Sequence, residues 1–188
     1  ETIVVKNAKK GEELKLVGSK KLVAKLTDSN IVITDGEKNL AIAGVKGGID
    51  SGVSNQTKDI LIEVANFEPT SIHKTAKSLN IRTDATKRYE NNLSPNLCDF
   101  AMKEISSILF EMFPKAEFEE VVDEYVSKFK LRKIHFTTEY ISKMLGLKIE
   151  DKEIEKILNN YNYVYKANWE IEVPDMRIDL TAPCNMVE

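Results

Sequence analysis

Short runs rich in Val, Ile and Leu fill the first third of the chain, each cut off by a polar or glycine turn. TIVVK (2–6), the run from Leu14 to Leu16, KLVAKL (21–26), NIVITD (30–35) and NLAIAGV (39–45) have the length and composition of strands. KKGEE, VGSK and DGEKN separate them. DGEKN reads as a hairpin turn, with Gly36 free to take a positive φ. A glycine-rich loop, GVKGGIDSGVSNQT, comes next, and DILIEVANF (59–67) reads as one more buried strand.

The period then lengthens. Pro69 opens a helical stretch, PTSIHKTAKSLN, which Asn80 ends, and IRTDATKRYENN follows as a loop or short helix. Pro95 opens the clearest helix. Its Leu97, Ala101, Ile105, Ile108, Leu109 and Met112 recur at helical spacing before Pro114 closes it, and Cys98 on it reads as core. EFEEVVDEYVSKFKLRKIHF alternates like an extended strand or linker. Thr137 or Thr138 caps a helix that Gly146 ends, and Asp151 caps the next, KEIEKILNNY. YNYVYK and NWEIEVP read as a closing pair of strands. Two short helices followed by a hairpin form a helix-turn-helix-like layout. The expected fold is therefore α+β: a mostly antiparallel sheet with flanking helices over residues 1–125, then a small helix-turn-helix-like domain over 126–188. No internal repeat or low-complexity tract is visible. The chain begins inside a strand-like run and stops at NMVE without a cap, which reads as a piece of a longer protein.

Composition narrows the chemistry. The 188 residues are 42% hydrophobic and 30% charged, as in globular domains that bury a core without staples. A net charge of −3 argues against broad nucleic-acid binding by charge alone. No apolar run approaches the roughly 20 residues of a membrane span. The two cysteines, Cys98 and Cys184, have no CxxC spacing, so neither zinc nor a disulfide framework is suggested. With only His73 and His135, a protein-only metal site or a histidine-based triad is not expected, and His73 reads as surface.

Three segments carry candidate chemistry. AGVKGG (43–48) lacks the GK[ST] of a P-loop, yet glycines at 44, 47 and 48 would expose backbone amides to a ligand; the plainer reading is a turn. By alternation, Glu63 in LIEVANFEP shares a face with Leu61, Ala65 and Phe67. A carboxylate there either pairs with a cation such as Arg82 or Arg88 or waits for a ligand donor. RTDATKRYE (82–90) clusters Thr83, Asp84, Thr86, Arg88 and Glu90, as a polar loop with an internal ion pair would.

Taken in order, NIVITD, AIAGVKGG, SGVSNQT, ILIEVANFEP and LNIRTDATKRYE resemble the bacterial phenylalanyl-tRNA synthetase beta subunit. That family has an aliphatic-AGVMGG loop, a T-x-N-ILLESA-x-F-x-P strand and a TDAS-x-RFERGVDP segment. WEIEVPDMRIDLTAPCNMVE resembles its W-x-V-x-x-PS-x-R-x-D-I run, followed by DLVEE. The chain departs at Lys46, where a large apolar residue is usual, in RYENNLSP for RFERGVDP, in VPDMR for PS-x-R, and in CNMVE for DLVE.

The resemblance implies a cytoplasmic ligase subunit. Phenylalanine is attached to tRNA(Phe) with ATP and Mg2+ on an alpha subunit, in a heterotetramer of two alpha and two beta chains. The stretch present here would hydrolyse tyrosine wrongly attached to that tRNA. Glu63 would read the tyrosine hydroxyl, Thr83 and Ala85 would line the pocket, and Ala43, Gly44 and Gly47 would form its glycine wall. The histidines completing that site would precede Glu1, and no catalytic residue is assigned within the chain. Residues 1–125 would then be an editing domain lacking its N-terminal part, and 126–188 a small domain truncated at its C-terminus. No membrane or DNA partner is expected: Lys128, Lys130, Arg132 and Lys133 gather at the entry of the second domain, not along a recognition helix. The alternative is a non-catalytic module that docks tRNA or the alpha subunit. A stand-alone deacylase fits less well, because the second domain belongs to the synthetase pattern.

Overall fold

The computed structural model describes residues 2–18 and 22–187. Residues 19–21, which hold part of the expected VGSK turn and the first residue of KLVAKL, lie outside the described residues. The chain divides after Leu93 into two compact units. Its architecture is α+β, with antiparallel sheets in both units.

In the first unit, β1 (Val4–Asn7), β4 (Ile31–Thr34), β5 (Asn39–Ile42) and β6 (Lys46–Gly47) form one antiparallel sheet in that order. β2 (Glu13–Lys15) and β3 (Val23–Lys25) form a separate hairpin, bridged to the sheet through Leu16 and Gly48. β4 is central, and Val32, Ile33 and Thr34 are all buried on it. The Asp35 carboxylate accepts from the Glu37 and Lys38 amides, and Gly36 takes φ 101°, so the expected hairpin turn forms. Those two bonds hold the Asp35 carboxyl below the ordinary range. Leu16, Leu26, Val32, Ile42 and Ile72 make the core.

Helix α1 (Pro69–Ser78) covers that core through Ile72 and Thr75. Asn30 joins helix to sheet. It is buried, accepts from the Thr27 amide at 2.8 Å and donates to Thr75 Oγ1 at 3.1 Å. Pro69 sits in the first turn as expected, but the cap is Glu68, whose carboxylate accepts from the Thr70 and Ser71 amides at 3.0 and 2.6 Å. These amides pull its carboxyl from 4.5 down to about 2. A carboxyl depressed by folding adds stability that is complete above its unfolded value and is lost as pH falls through the folded value. The melting-temperature gap between wild type and Glu68→Gln is therefore expected to be full above about pH 4.5 and to close toward about pH 2. A gap that stays constant across an acid titration of thermal melts would contradict the cap. α2 (Asp84–Tyr89) follows as a short helix.

The strand expected over 59–67 does not form. Residues 58–67 pair with no strand, and Ile60 and Leu61 are 56% and 63% exposed. Apolar alternation makes an extended chain ready to pair but supplies no neighbour. Among the described residues, the ladder of the first sheet ends at β6.

In the second unit, α3 (Leu97–Met112) forms over its apolar spacing, yet no residue on it is buried. Phe100, Ile108, Phe110 and Met112 are all more than half exposed, and Cys98 is only half-buried, not core. The 117–136 run has no regular structure outside β7 (Lys133–His135), which joins a sheet. α4 (Thr138–Leu145) is capped by Thr137, whose hydroxyl accepts from the Tyr140 amide, and Gly146 ends it at φ 71°. α5 (Asp151–Asn160) starts with Glu150 as its cap residue. Asp151 does not cap it, because its carboxylate accepts the Thr138 hydroxyl at 2.6 Å. β8 (Val164–Tyr165) and β9 (Glu170–Glu172) form the closing hairpin, and β7 pairs on the other side of β9. Trp169 turns this hairpin at φ 54°, stacks 6.1 Å from Phe136 and donates to Thr138 Oγ1. Ile141, Ile154, Leu158 and Ile171 complete that core.

Candidate functional site

The glycine segment is a tight hairpin. β5 ends at Ile42, Val45 N donates back to Ile42 O, and β6 returns with Ile42 opposite Lys46 and Ala41 opposite Gly47. Its three glycines do different work. Gly44 holds φ 65°, and a Cβ there would stand 2.7 Å from Ile72 Cδ1 and 2.9 Å from Phe67 Cδ2. A Cβ on Gly48 would meet the Leu40 carbonyl oxygen at 2.6 Å. A Cβ on Gly47 would meet nothing within 4 Å. Ala43 is buried. Of the expected glycine wall, Gly47 alone turns its vacant side to open space, while Ala43 and Gly44 pack inward.

Thr83 joins α2 to this hairpin. Its hydroxyl donates to Val45 O at 2.9 Å and accepts from the Thr86 amide at 3.1 Å. The Thr86 hydroxyl in turn accepts from Thr83 N at 2.9 Å, which completes a capping box. Both functions of the Thr83 hydroxyl are engaged, so it positions backbone and has no proton left for a ligand. Ala85 lies half-buried in the first turn of α2. The structure thus brings 43–47 together with 83–86.

Glu63 lies on the extended segment leading to this pair. The chain just beyond it is docked firmly. Tyr89 donates to Ala65 O at 3.1 Å, Asn66 donates to Leu93 O at 2.7 Å, and the Phe67 and Tyr89 rings meet edge-on at 5.6 Å. Phe67 is also the ring that a Cβ on Gly44 would strike. Of the face expected to hold Glu63, Phe67 packs against the core while the Glu63 end is open. Leu61 and Glu63 are exposed, while Ile62 and Val64 between them are half-buried. Desolvation alone pushes the Glu63 carboxyl above its ordinary 4.5, although the residue as a whole reaches water. The open side tempers that penalty, which comes from crowding around the carboxylate. Among the described residues Glu63 forms no ion pair.

Of the two expected partners, Arg88 forms no ion pair with Glu63 among the described residues, and Arg82 is engaged elsewhere. It pairs with Glu90 at 2.9 Å, and His73 Nδ1 stands 3.1 Å from the other Glu90 oxygen. His73, expected to be plain surface, thus helps fasten α1 to the end of α2. The hydrogen bond to His73 and the charge of Arg82 lower the Glu90 carboxyl. Sequence reasoning also missed Asn66 and Tyr89, which hold the Glu63 segment in place. Tyr89, an aromatic set in the polar run RTDATKRYE, was the available signal.

Comparison with known proteins adds the lineage. Residues 1–114 match the B3/4 domain family, and residues 134–188 match the tRNA synthetase B5 domain. The chain is 33% identical over 190 residues to the phenylalanine–tRNA ligase beta subunit of Clostridium acetobutylicum, covering 99% of this chain and 24% of that protein. It is 32% identical to the subunit of the same name from Thermotoga maritima and 35% identical to that from Pseudoalteromonas translucida, at the same coverage of both. The chain spans about a quarter of the length of these relatives.

Proposed function

Because the chain belongs to the B3/4 domain family and carries a B5 domain behind it, we propose that it is the part of a phenylalanine–tRNA ligase beta subunit that clears tyrosine from tRNA(Phe). Residues 1–125 make up the editing part and 126–188 the small domain that follows. The observation that carries this reading is Glu63. It is a partly desolvated carboxylate that forms no ion pair among the described residues, on a segment docked against Tyr89, and Phe67 of that segment packs beside Gly44.

A tyrosyl ester offers this carboxylate a phenolic proton. A phenylalanyl ester leaves it crowded and unpaired, and sites built on that difference discriminate strongly. Ala85 and the open side of Gly47 leave room for a ring, and Thr83 holds the hairpin against α2. No side chain here is assigned as general base. Hydrolysis of the ester is assigned to a positioned water, backbone donors and the terminal ribose hydroxyl of the tRNA. Aminoacylation belongs to the alpha subunit of a cytoplasmic heterotetramer. Among the described residues no three His, Cys, Asp or Glu side chains gather as a metal site requires. In this reading ATP and Mg2+ serve the alpha subunit, and no step here runs through them.

A docking module without hydrolysis is the second reading. The inward packing of Ala43 and Gly44 favours it, since it narrows the wall offered to a ligand to Gly47. The experiment that separates the two is deacylation of Tyr-tRNA(Phe) by the complete alpha–beta enzyme. Editing requires release of tyrosine well above the spontaneous rate, with Phe-tRNA(Phe) spared. Equal, uncatalysed decay of both esters would leave only the docking role.

A further inference from the structure

A polar relay in the second unit stands apart from everything assigned above. Ser94, just ahead of α3, is 2% exposed, and its hydroxyl donates to Asp175 Oδ1 at 2.7 Å. Asn96 Nδ2 donates to the same oxygen at 2.8 Å. The Asn96 carbonyl oxygen accepts from the Tyr125 hydroxyl at 2.9 Å, and that hydroxyl accepts from the Phe129 amide at 2.8 Å. All the bonds run one way, from a backbone N–H to a carboxylate, so each donor meets an acceptor and the charge sits at the end. The contacts bridge 81, 79 and 29 residues of sequence. Residues 111–124 are all exposed, and Tyr125 is the first half-buried position after them.

Ser94 and Asp175 are joined directly by a hydroxyl–carboxylate bond. Serine both donates and accepts, so either orientation closes the relay. Two acids would repel at this distance, and two serines would lose the charge.

We propose that Ser94, Asn96, Tyr125 and Asp175 form a latch, which fastens the 113–131 segment and the turn after β9 to the start of α3. Through it, α3, from the B3/4-matching stretch, is held to the B5-matching stretch. The inference rests on these hydrogen bonds and is independent of whether Glu63 edits.

The test is an exchange cycle in the complete beta subunit, read by hydrogen exchange at the Phe129 amide and by limited proteolysis between residues 113 and 131. Ser94→Asp alone and Asp175→Ser alone are each expected to speed exchange and cleavage about tenfold or more, the first by setting two carboxylates together and the second by removing the charge to which Ser94 and Asn96 donate. The double exchange, Ser94→Asp with Asp175→Ser, is expected to return both to within about twofold of wild type. If a single variant fails to fold, Tyr125→Phe removes only the hydroxyl, and faster Phe129 exchange with an unchanged β7–β9 sheet supports the latch. A double variant as loose as its two singles combined, or Tyr125→Phe leaving Phe129 exchange unchanged, overturns it.

Discussion

In the complete alpha–beta enzyme, Glu63→Ala is expected to lower hydrolysis of Tyr-tRNA(Phe) about 10- to 100-fold, with melting temperature little changed. The size follows from losing one hydrogen bond to a charged acceptor, about 1.5–3 kcal/mol. The unchanged stability follows from structure. A buried ion pair broken on one side costs about 3–5 kcal/mol, but Glu63 is surface-reaching and, among the described residues, has no ion-pair partner to strand. Acid should act in the same direction as the mutation. Only the ionised carboxylate accepts the phenol proton strongly, and desolvation raises its pKa above 4.5, so tyrosyl selectivity should fade at a higher pH than an ordinary glutamate would set. For stability the sign is opposite. The desolvation penalty is present above the raised pKa and is relieved below 4.5, so protonating Glu63 does not unfold the chain. Deacylation assays across pH, paired with melting curves, read both effects. A variant that melts far below wild type while keeping its preference for the tyrosyl ester would make Glu63 structural.

How much of this the sequence could show depends on how local each cause is. The Gly36 turn, the proline start of α1, the Thr137 cap and the Gly146 stop are set by residues within one turn of where they act, and all were legible. Glu68 and Asp151 mark the limit of that legibility. Asp is the better cap by preference, yet Thr138 claims Asp151, and Glu68 caps because its longer side chain bends back onto two free amides. The 59–67 segment failed for a non-local reason: alternation states which residues can pair, and the partner strand is not encoded in the segment. α3 formed as its spacing implied, and only the core reading of Cys98 failed on it, since helical spacing of apolar residues says nothing about what covers them. For the site, motif order singled out Glu63, Thr83 and the glycine segment. The bond from Thr83 to Val45 spans 38 residues and left no local trace. Nor could the sequence distinguish three glycines whose neighbours in space are a ring, a carbonyl and open solvent.

Those three glycines should therefore separate stability from function. Gly48→Ala places a Cβ 2.6 Å from the Leu40 carbonyl, which belongs to backbone and cannot swing aside. The Gly48 N–H bond to that same oxygen, 2.7 Å long, must stretch as the strands part. Overpacking of this kind costs about 1–3 kcal/mol. Gly44→Ala suffers twice: its φ of 65° disfavours a side chain by about 1–2 kcal/mol, and its Cβ presses on Ile72 and Phe67. Phe67 can relieve that pressure only by moving, and it is the ring that helps dock the Glu63 segment, so Gly44→Ala should lose stability and tyrosyl hydrolysis together. Gly47→Ala adds a methyl to open space and should stay within about 0.5 kcal/mol of wild type. If the tyrosine ring lies against that open side, the same methyl narrows the pocket and slows hydrolysis of Tyr-tRNA(Phe) in an otherwise stable enzyme. Chemical denaturation of all three variants beside the deacylation assay gives the ordering directly. A Gly47→Ala enzyme that is both stable and fully active would place the ring elsewhere.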